Sequence, residues 1–226
     1  MKNASSGKIR FEEKRARAGE DLIAVLDYGV GNVGSIINML KKIGVDAMLT
    51  NDFSQIEKAD KLILPGVGAF DVGMQRLKSK GLVEVIRKHA VEDKKPLLGI
   101  CLGMQMLGRT SEEGKDRGLS LIPFDNKRFT FDDKTQLKIP HMGWDIAVPA
   151  QMDDPLTEGL VGVQRFYYVH SYHAVCDSEE NVLIRCEYGY SFAAAVKKGN
   201  IYGVQFHPEK SHKYGMALLE NFARRV

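Results

Sequence analysis

A chain of 226 residues with 44% apolar and 27% charged side chains has the composition of an ordinary soluble globular protein, long enough to bury one substantial core. The net charge of +3 is too small to mark a nucleic-acid binder; much of the positive charge falls in Lys2, Lys8, Arg10, Lys14, Arg15 and Arg17, which read as a solvated tail. No apolar run approaches the roughly 20 residues of a membrane span, the first twenty residues lack a signal-type stretch, and three cysteines without a Cys-x-x-Cys pair fit a reduced, cytoplasmic setting.

Residues 1–20 are set aside as a flexible extension, and 21–226 read as one domain. Residues 22–26 form a short apolar run, the pattern of a strand buried on both faces. Val33, Ile36, Ile37, Leu40 and Ile43 then share one face of a helix that Gly44 ends. Residues 45–50 give a second strand. Residues 61–64 give a third, stopped by Pro65-Gly66. A helix is expected over much of 69–90, with Leu77, Val83, Val85 and Ile86 in the core. Residues 96–100 form a fourth strand, and a helix follows over 102–108. Strands alternating with helices imply an α/β fold, a mostly parallel sheet covered on both faces. Beyond about residue 119 the stretches 136–148, 165–170, 181–187, 191–197 and 201–206 look like added antiparallel strands. Lys197-Lys198-Gly199-Asn200 is a turn between two of them. Residues 213–223 close the chain as an amphipathic helix carrying Met216, Leu219 and Phe222.

The chemistry-bearing segments lie far apart in sequence. Gly99-Ile100-Cys101-Leu102-Gly103 has the form of a strand-turn-helix elbow with small residues two before and two after the nucleophile. A helix starting at Leu102 would aim its N-terminus at the sulfur and favour thiolate. A lone segment of this kind is as often a buried structural cysteine beside packing glycines. His207-Pro208-Glu209 offers a base and a carboxylate two positions on, both on one side of an extended chain. Together they form a Cys-His-Glu triad for acyl transfer. Pro65-Gly66-Val67-Gly68, at a strand end, can turn backbone N–H groups into the same crevice. Leu102 and Gly68 (or Val67 after a peptide flip) are thus candidate oxyanion donors. Gly29-Val30-Gly31-Asn32 is a poor dinucleotide loop, since its third glycine is misplaced. His170 with His173, and His207 with His212, lack the spacing of a zinc site. The reading calls for no metal and no cofactor.

In order, these segments resemble the class I glutamine amidotransferases, and more narrowly the glutaminase subunits of imidazole glycerol phosphate synthases. The resemblance runs over nearly all of 22–226. It also rests on Asp27-Tyr28-Gly29, Ser111-Glu112-Glu113-Gly114, Pro140-His141-Met142-Gly143-Trp144 and Tyr168-Val169-His170-Ser171-Tyr172. It implies a three-layer α/β fold and a glutamyl thioester on Cys101. His207 would protonate the leaving ammonia and Glu209 would orient it. Gln105 and the Ser171-Tyr172 segment would bind glutamine, and Gly68 and Leu102 would form the oxyanion hole. It further implies a heterodimer with a (β/α)8-barrel cyclase that receives the ammonia in histidine biosynthesis. Lys210 and the Pro140–Trp144 segment would lie toward that interface. Asp145 departs from the asparagine usual in the family, and residues 115–138 match poorly. A related glutaminase that feeds a sugar amidotransferase in surface polysaccharide synthesis is the alternative. An intracellular peptidase or chaperone of similar architecture, and a regulatory protein with a dead triad, fit less well: Leu102 follows the cysteine where the former place histidine, and Cys101, His207 and Glu209 are all present.

Overall fold

The structure, a computed structural model, describes residues 21–132 and 136–226; the extension over 1–20 lies outside the described residues. Five strands form the parallel centre of one sheet: β1 (Ile23–Leu26), β2 (Ala47–Thr50), β3 (Lys61–Gly66), β4 (Leu97–Cys101) and, from the far end of the chain, β11 (Ile201–Val204). Their order is β2-β1-β3-β4-β11, and the sheet continues antiparallel through β10 (Tyr190–Lys198), β9 (Val182–Tyr188), β6 (His141–Pro149) and β7 (Gln164–His170). A side branch joins β5 (Phe124–Arg128) to β8 (Tyr172–Cys176), which also touches β10.

Alternation along the central strands sorts the core into two layers, because successive side chains of a strand face opposite ways. Ile23, Val25, Ile63, Leu98 and Ile100 pack against α1 (Val33–Lys42) and α6 (His212–Arg224) through Ile36, Leu40, Leu218, Leu219 and Phe222. Ala24, Leu26, Leu62, Leu64 and Leu97 face the other way. There they meet α2 (Phe53–Lys58), α3 (Phe70–Ser79), α4 (Leu82–Arg87) and α5 (Leu102–Leu107). Buried Lys61 fastens the end of α6 by donating to the carbonyls of Phe222 and Ala223 at 3.1 and 2.7 Å. The three-layer α/β architecture is the one expected.

Several boundaries differ from the sequence expectation. β3 runs on through Pro65 and Gly66, which pair with Ile100 and Cys101; a proline near a strand end forfeits a single ladder bond. The helix expected over 69–90 is broken at Lys80-Gly81, where Gly81 takes φ +67 and turns the chain. Leu82, rather than Val83 or Val85, then shares the buried face with Ile86; both valines are half-buried. α2, β5 and β8 were not anticipated. Among the described residues no helix is long and apolar enough to cross a membrane.

Candidate active site

β4 delivers Cys101 to the carboxyl edge of the sheet, between β3 and β11. Its backbone takes φ +54 and ψ −111, a conformation a residue with a side chain rarely adopts. Such geometry costs on the order of 1–3 kcal/mol and persists only where the surroundings over-determine it. Here they do. A Cβ on Gly103 would lie 1.8 Å from the Leu64 carbonyl oxygen, and one on Gly99 would lie 2.8 Å from the Gly103 backbone. α5 can therefore turn back against β3 and β4 only because both positions lack a side chain. Asn126 Nδ2 hooks α5 to β5 by donating to the Gln105 and Thr110 carbonyls, each at 2.9 Å. The Tyr28 hydroxyl donates to the Pro65 carbonyl. Burial, and then the charge of the Cys101 sulfur, holds Tyr28 protonated well above its ordinary range.

β11 runs parallel to β4 with Val204 opposite Ile100, so the chain leaving it passes beside Cys101. His207 follows in extended conformation and is 1% exposed. Its Nδ1 lies 2.8 Å from Glu209 Oε1, and the glutamate side chain is buried with it. An ionised carboxylate only accepts, so Nδ1 carries the proton. Nε2, buried and without another hydrogen-bond partner among the described residues, is left for the Cys101 sulfur. Burial opposes charge on His207, but hydrogen bonds with Cys101 and Glu209, and the charges of both, outweigh it and raise the imidazole to about 9. The ring is an imidazolium at neutral pH.

Every expected site residue except Glu209, which supports the ring from behind, lines one cleft: Gly68, Cys101, Leu102, Gln105, Ser171, Tyr172 and His207. Its volume is about 460 Å³, within the range of small-molecule sites. Gly68 follows β3 with φ +96, a conformation that favours glycine. Gln105, 5% exposed, donates from Nε2 to the Tyr172 carbonyl and to Gln205 Oε1, each at 3.2 Å. Its Oε1 has no hydrogen-bond donor among the described residues. Ser171 accepts at its carbonyl from Phe129 N–H, which ties the β7–β8 turn down.

The sequence reading gave no role to three polar residues that the fold brings to the cleft or to the sulfur. Glu113 lines it while its Oε2 accepts from Phe70 N–H at 2.8 Å, so a carboxylate is pinned at the cleft wall. Its signal was present in Ser111-Glu112-Glu113-Gly114, which had no role attached. Gln205, buried and outside the cleft lining, meets the Cys101 sulfur with Nε2 at 3.9 Å. His170 lines the cleft and supports the Tyr172 carbonyl through Nδ1 at 2.8 Å. Since Nδ1 must donate there, His170 Nε2 accepts from His141 Nδ1 at 3.2 Å. Burial above all pushes His170 down to about 3, in keeping with that neutral tautomer.

His173 is engaged by Tyr190 at 2.9 Å, and His212 stacks on Trp144. His141, Asp145 and Cys186 place possible metal-ligand atoms within 4.8 Å of one another; none of the three lines the cleft, though His141 bonds to His170, which does. A second depression of about 560 Å³ around Asn51–Ser54 and Lys80 holds no nucleophile or base of the triad.

Comparison with known proteins agrees with this geometry. The family model described as glutamine amidotransferase class-I matches residues 24–226. An imidazole glycerol phosphate synthase subunit HisH 2 from Methanococcus maripaludis is 53% identical over 205 residues, 91% of this chain and all of that protein. The subunit HisH 2 of Pseudomonas aeruginosa is 49% identical over 205 residues, again 91% of this chain and all of the relative. The subunit HisH of Sulfurimonas denitrificans is 46% identical over 90% of this chain and 98% of its own length. In fold, the chain is similar to a crystal structure of a glutamine amidotransferase (TM-score 0.68, 21% identity, 88% of this chain and 98% of that one). It is also similar to the PurLQS structure from Thermotoga maritima (TM-score 0.67, 20% identity, 90% and 97%). The strained cysteine, its buried His–Glu partner and these full-length matches coincide: the chain belongs to the class I glutamine amidotransferase family.

Proposed function

We propose that this protein is the glutaminase subunit of an imidazole glycerol phosphate synthase, with residues 21–226 as its amidotransferase domain. The observation that carries the chemistry is the strained Cys101 beside the buried His207–Glu209 pair at the wall of a cleft sized for an amino acid. In this reading Cys101 Sγ attacks the side-chain amide carbon of glutamine. The N–H groups of Gly68 and Leu102 receive the developing oxyanion. The C–N bond breaks as His207 gives its proton to the departing nitrogen, releasing ammonia and leaving a glutamyl thioester. Water, deprotonated by His207, then hydrolyses the thioester to glutamate and returns the thiolate. Gln105 Oε1 and the Glu113 carboxylate supply acceptors for the substrate's α-ammonium, and the Ser171–Tyr172 backbone faces it.

The imidazolium fixes a pH dependence. Its proton is present at neutral pH and lost as pH rises through about 9, so glutamine turnover falls on that side. Glu209→Gln removes one of the groups that hold the proton. The alkaline limb of kcat/KM should then move to lower pH by roughly a unit or more. A limb that stays in place removes Glu209 from the triad.

The partner in this reading is a (β/α)8-barrel cyclase in the cytoplasm, which takes the ammonia without releasing it to water. Met142 and Trp144, 62% and 38% exposed on one face of β6, and Lys210, over the Tyr167 ring, would face it. The test is reconstitution. Adding the cyclase subunit of the same organism should raise glutamate release at least tenfold and couple it to cyclase turnover. A rate indifferent to the cyclase overturns the assignment. If a sugar amidotransferase raises the rate instead, the surface-polysaccharide reading takes its place.

A further inference from the structure

One buried polar side chain at the nucleophile has no task in the scheme above. Gln205 follows β11, is wholly buried, and has its backbone N–H fixed on the Ala194 carbonyl at 2.8 Å. The orientation of its amide is settled by a chain of donors and acceptors that begins at a backbone carbonyl. A carbonyl oxygen only accepts, so the Gln105 atom 3.2 Å from Tyr172 O is the amide nitrogen. That nitrogen also donates to Gln205, 3.2 Å away, so the Gln205 atom it meets is Oε1. The other end of the same amide, Gln205 Nε2, is thereby turned to Cys101 Sγ at 3.9 Å. Reversing either amide would set two nitrogens or two oxygens against each other.

We propose that Gln205 is a further catalytic residue: its Nε2–H donates to the Cys101 sulfur and steadies the thiolate, while its Oε1 ties that donor to Gln105 in the glutamine pocket. The inference rests on the reading of Cys101 as nucleophile and deepens it. A buried thiolate needs donors, and His207 is an inconstant one, because it gives its proton to the leaving nitrogen and recovers it from water. An amide N–H has no proton to lose over the cycle. It faces the sulfur when the thiolate attacks and again when the tetrahedral intermediate of hydrolysis expels it. The link to Gln105 has a second consequence. A substrate ammonium donating to Gln105 Oε1 polarises that amide, and the polarisation passes through Gln205 to the sulfur.

The test reads the sulfur directly. Purified full-length chain, without glutamine or partner, is treated with iodoacetamide across a pH series. Modification of Cys101 is followed by peptide mass spectrometry, which separates it from Cys176 and Cys186. Gln205→Met keeps the length and removes both polar ends. Its alkylation should be about tenfold slower at pH 7, with the midpoint of the pH dependence moved upward. Gln205→Glu keeps an acceptor for Gln105 and sets a carboxylate oxygen against the sulfur, so its midpoint should rise further. With glutamine and partner, kcat should fall about tenfold or more while KM changes by less. A merely structural role would lower thermal stability and leave the alkylation midpoint where it is. A midpoint at or below the native value in a folded variant overturns the proposal, and if Gln205→Met does not fold, Gln205→Glu decides alone. Should the native chain hydrolyse no glutamine with any partner, the functional reading fails, while the alkylation comparison still tests the hydrogen bond.

Discussion

Cys101→Ala should reduce glutamate release, measured with the partner present, by at least about 10⁴-fold, because without the sulfur no thioester forms and the remaining groups have nothing to activate. Binding of glutamine should survive, since Gln105, Glu113 and the β7–β8 turn are untouched. Retained turnover would remove Cys101 from the mechanism. The same position also makes a claim about stability. Alanine inherits the backbone at φ +54 and ψ −111, so it keeps the strain. Cys101→Gly relieves it and should be more stable than Cys101→Ala by about 1 kcal/mol, after the greater freedom of glycine in the unfolded chain is deducted. A glycine variant no more stable than the alanine one would mean that the elbow is not strained.

Gly103→Ala should destabilise the fold by about 3 kcal/mol or more, read as a lower urea midpoint at unchanged slope. The added carbon would stand 1.8 Å from the carbonyl oxygen of Leu64. That oxygen belongs to β3, inside the parallel ladder with β4, where Leu64 pairs with Gly99. It cannot swing aside as a flexible side chain would. Either α5 lifts off the sheet, carrying Leu102 and Gln105 from the cleft, or β3 gives way at its pairing with the nucleophile strand. Activity should therefore fall with stability. Gly34→Ala is the control. It lies in α1 with nothing within 4 Å of the added carbon, and should be neutral to stabilising by up to about 1 kcal/mol. A Gly103 variant as stable as the Gly34 one would mean that the helix does not press on the strand as described.

The parts of this fold that repeat were legible because each repeat writes the same physical requirement. β1 and β4 are apolar at every position, and β3 is so beyond Lys61, since both faces are covered, and α1 shows its buried face at Ile36 and Leu40. Cys101 was legible for a steric reason, as the glycines two residues away on either side record how closely α5 approaches. His207 and Glu209 were legible because two residues on one side of a stiff segment suffice to build their contact. The rest depends on pairings between distant segments. β5 and β8 pair with one another, and β5 carries a single apolar residue, Phe124, in Phe-Asp-Asn-Lys-Arg. Glu113 is held at the cleft because α3 begins beside it, and the Gln205 amide is oriented because a carbonyl 33 positions earlier fixes an amide 100 positions earlier. No local pattern records such a chain.

The pairing of β11 with β4 has a consequence for how the protein comes into being. Leu97 meets Ile201, and Ile100 meets Val204, across about half the length of the chain. A ladder closed over so long a span is favoured late in folding, after the loop entropy has been met by nearer contacts. On the ribosome the cysteine emerges a hundred residues before its base. Until that last central strand is inserted, the thiol has no imidazolium beside it and no finished cleft around it. In the proposed reading, the order of segments along the gene thus leaves completion of the triad to the closing events of synthesis.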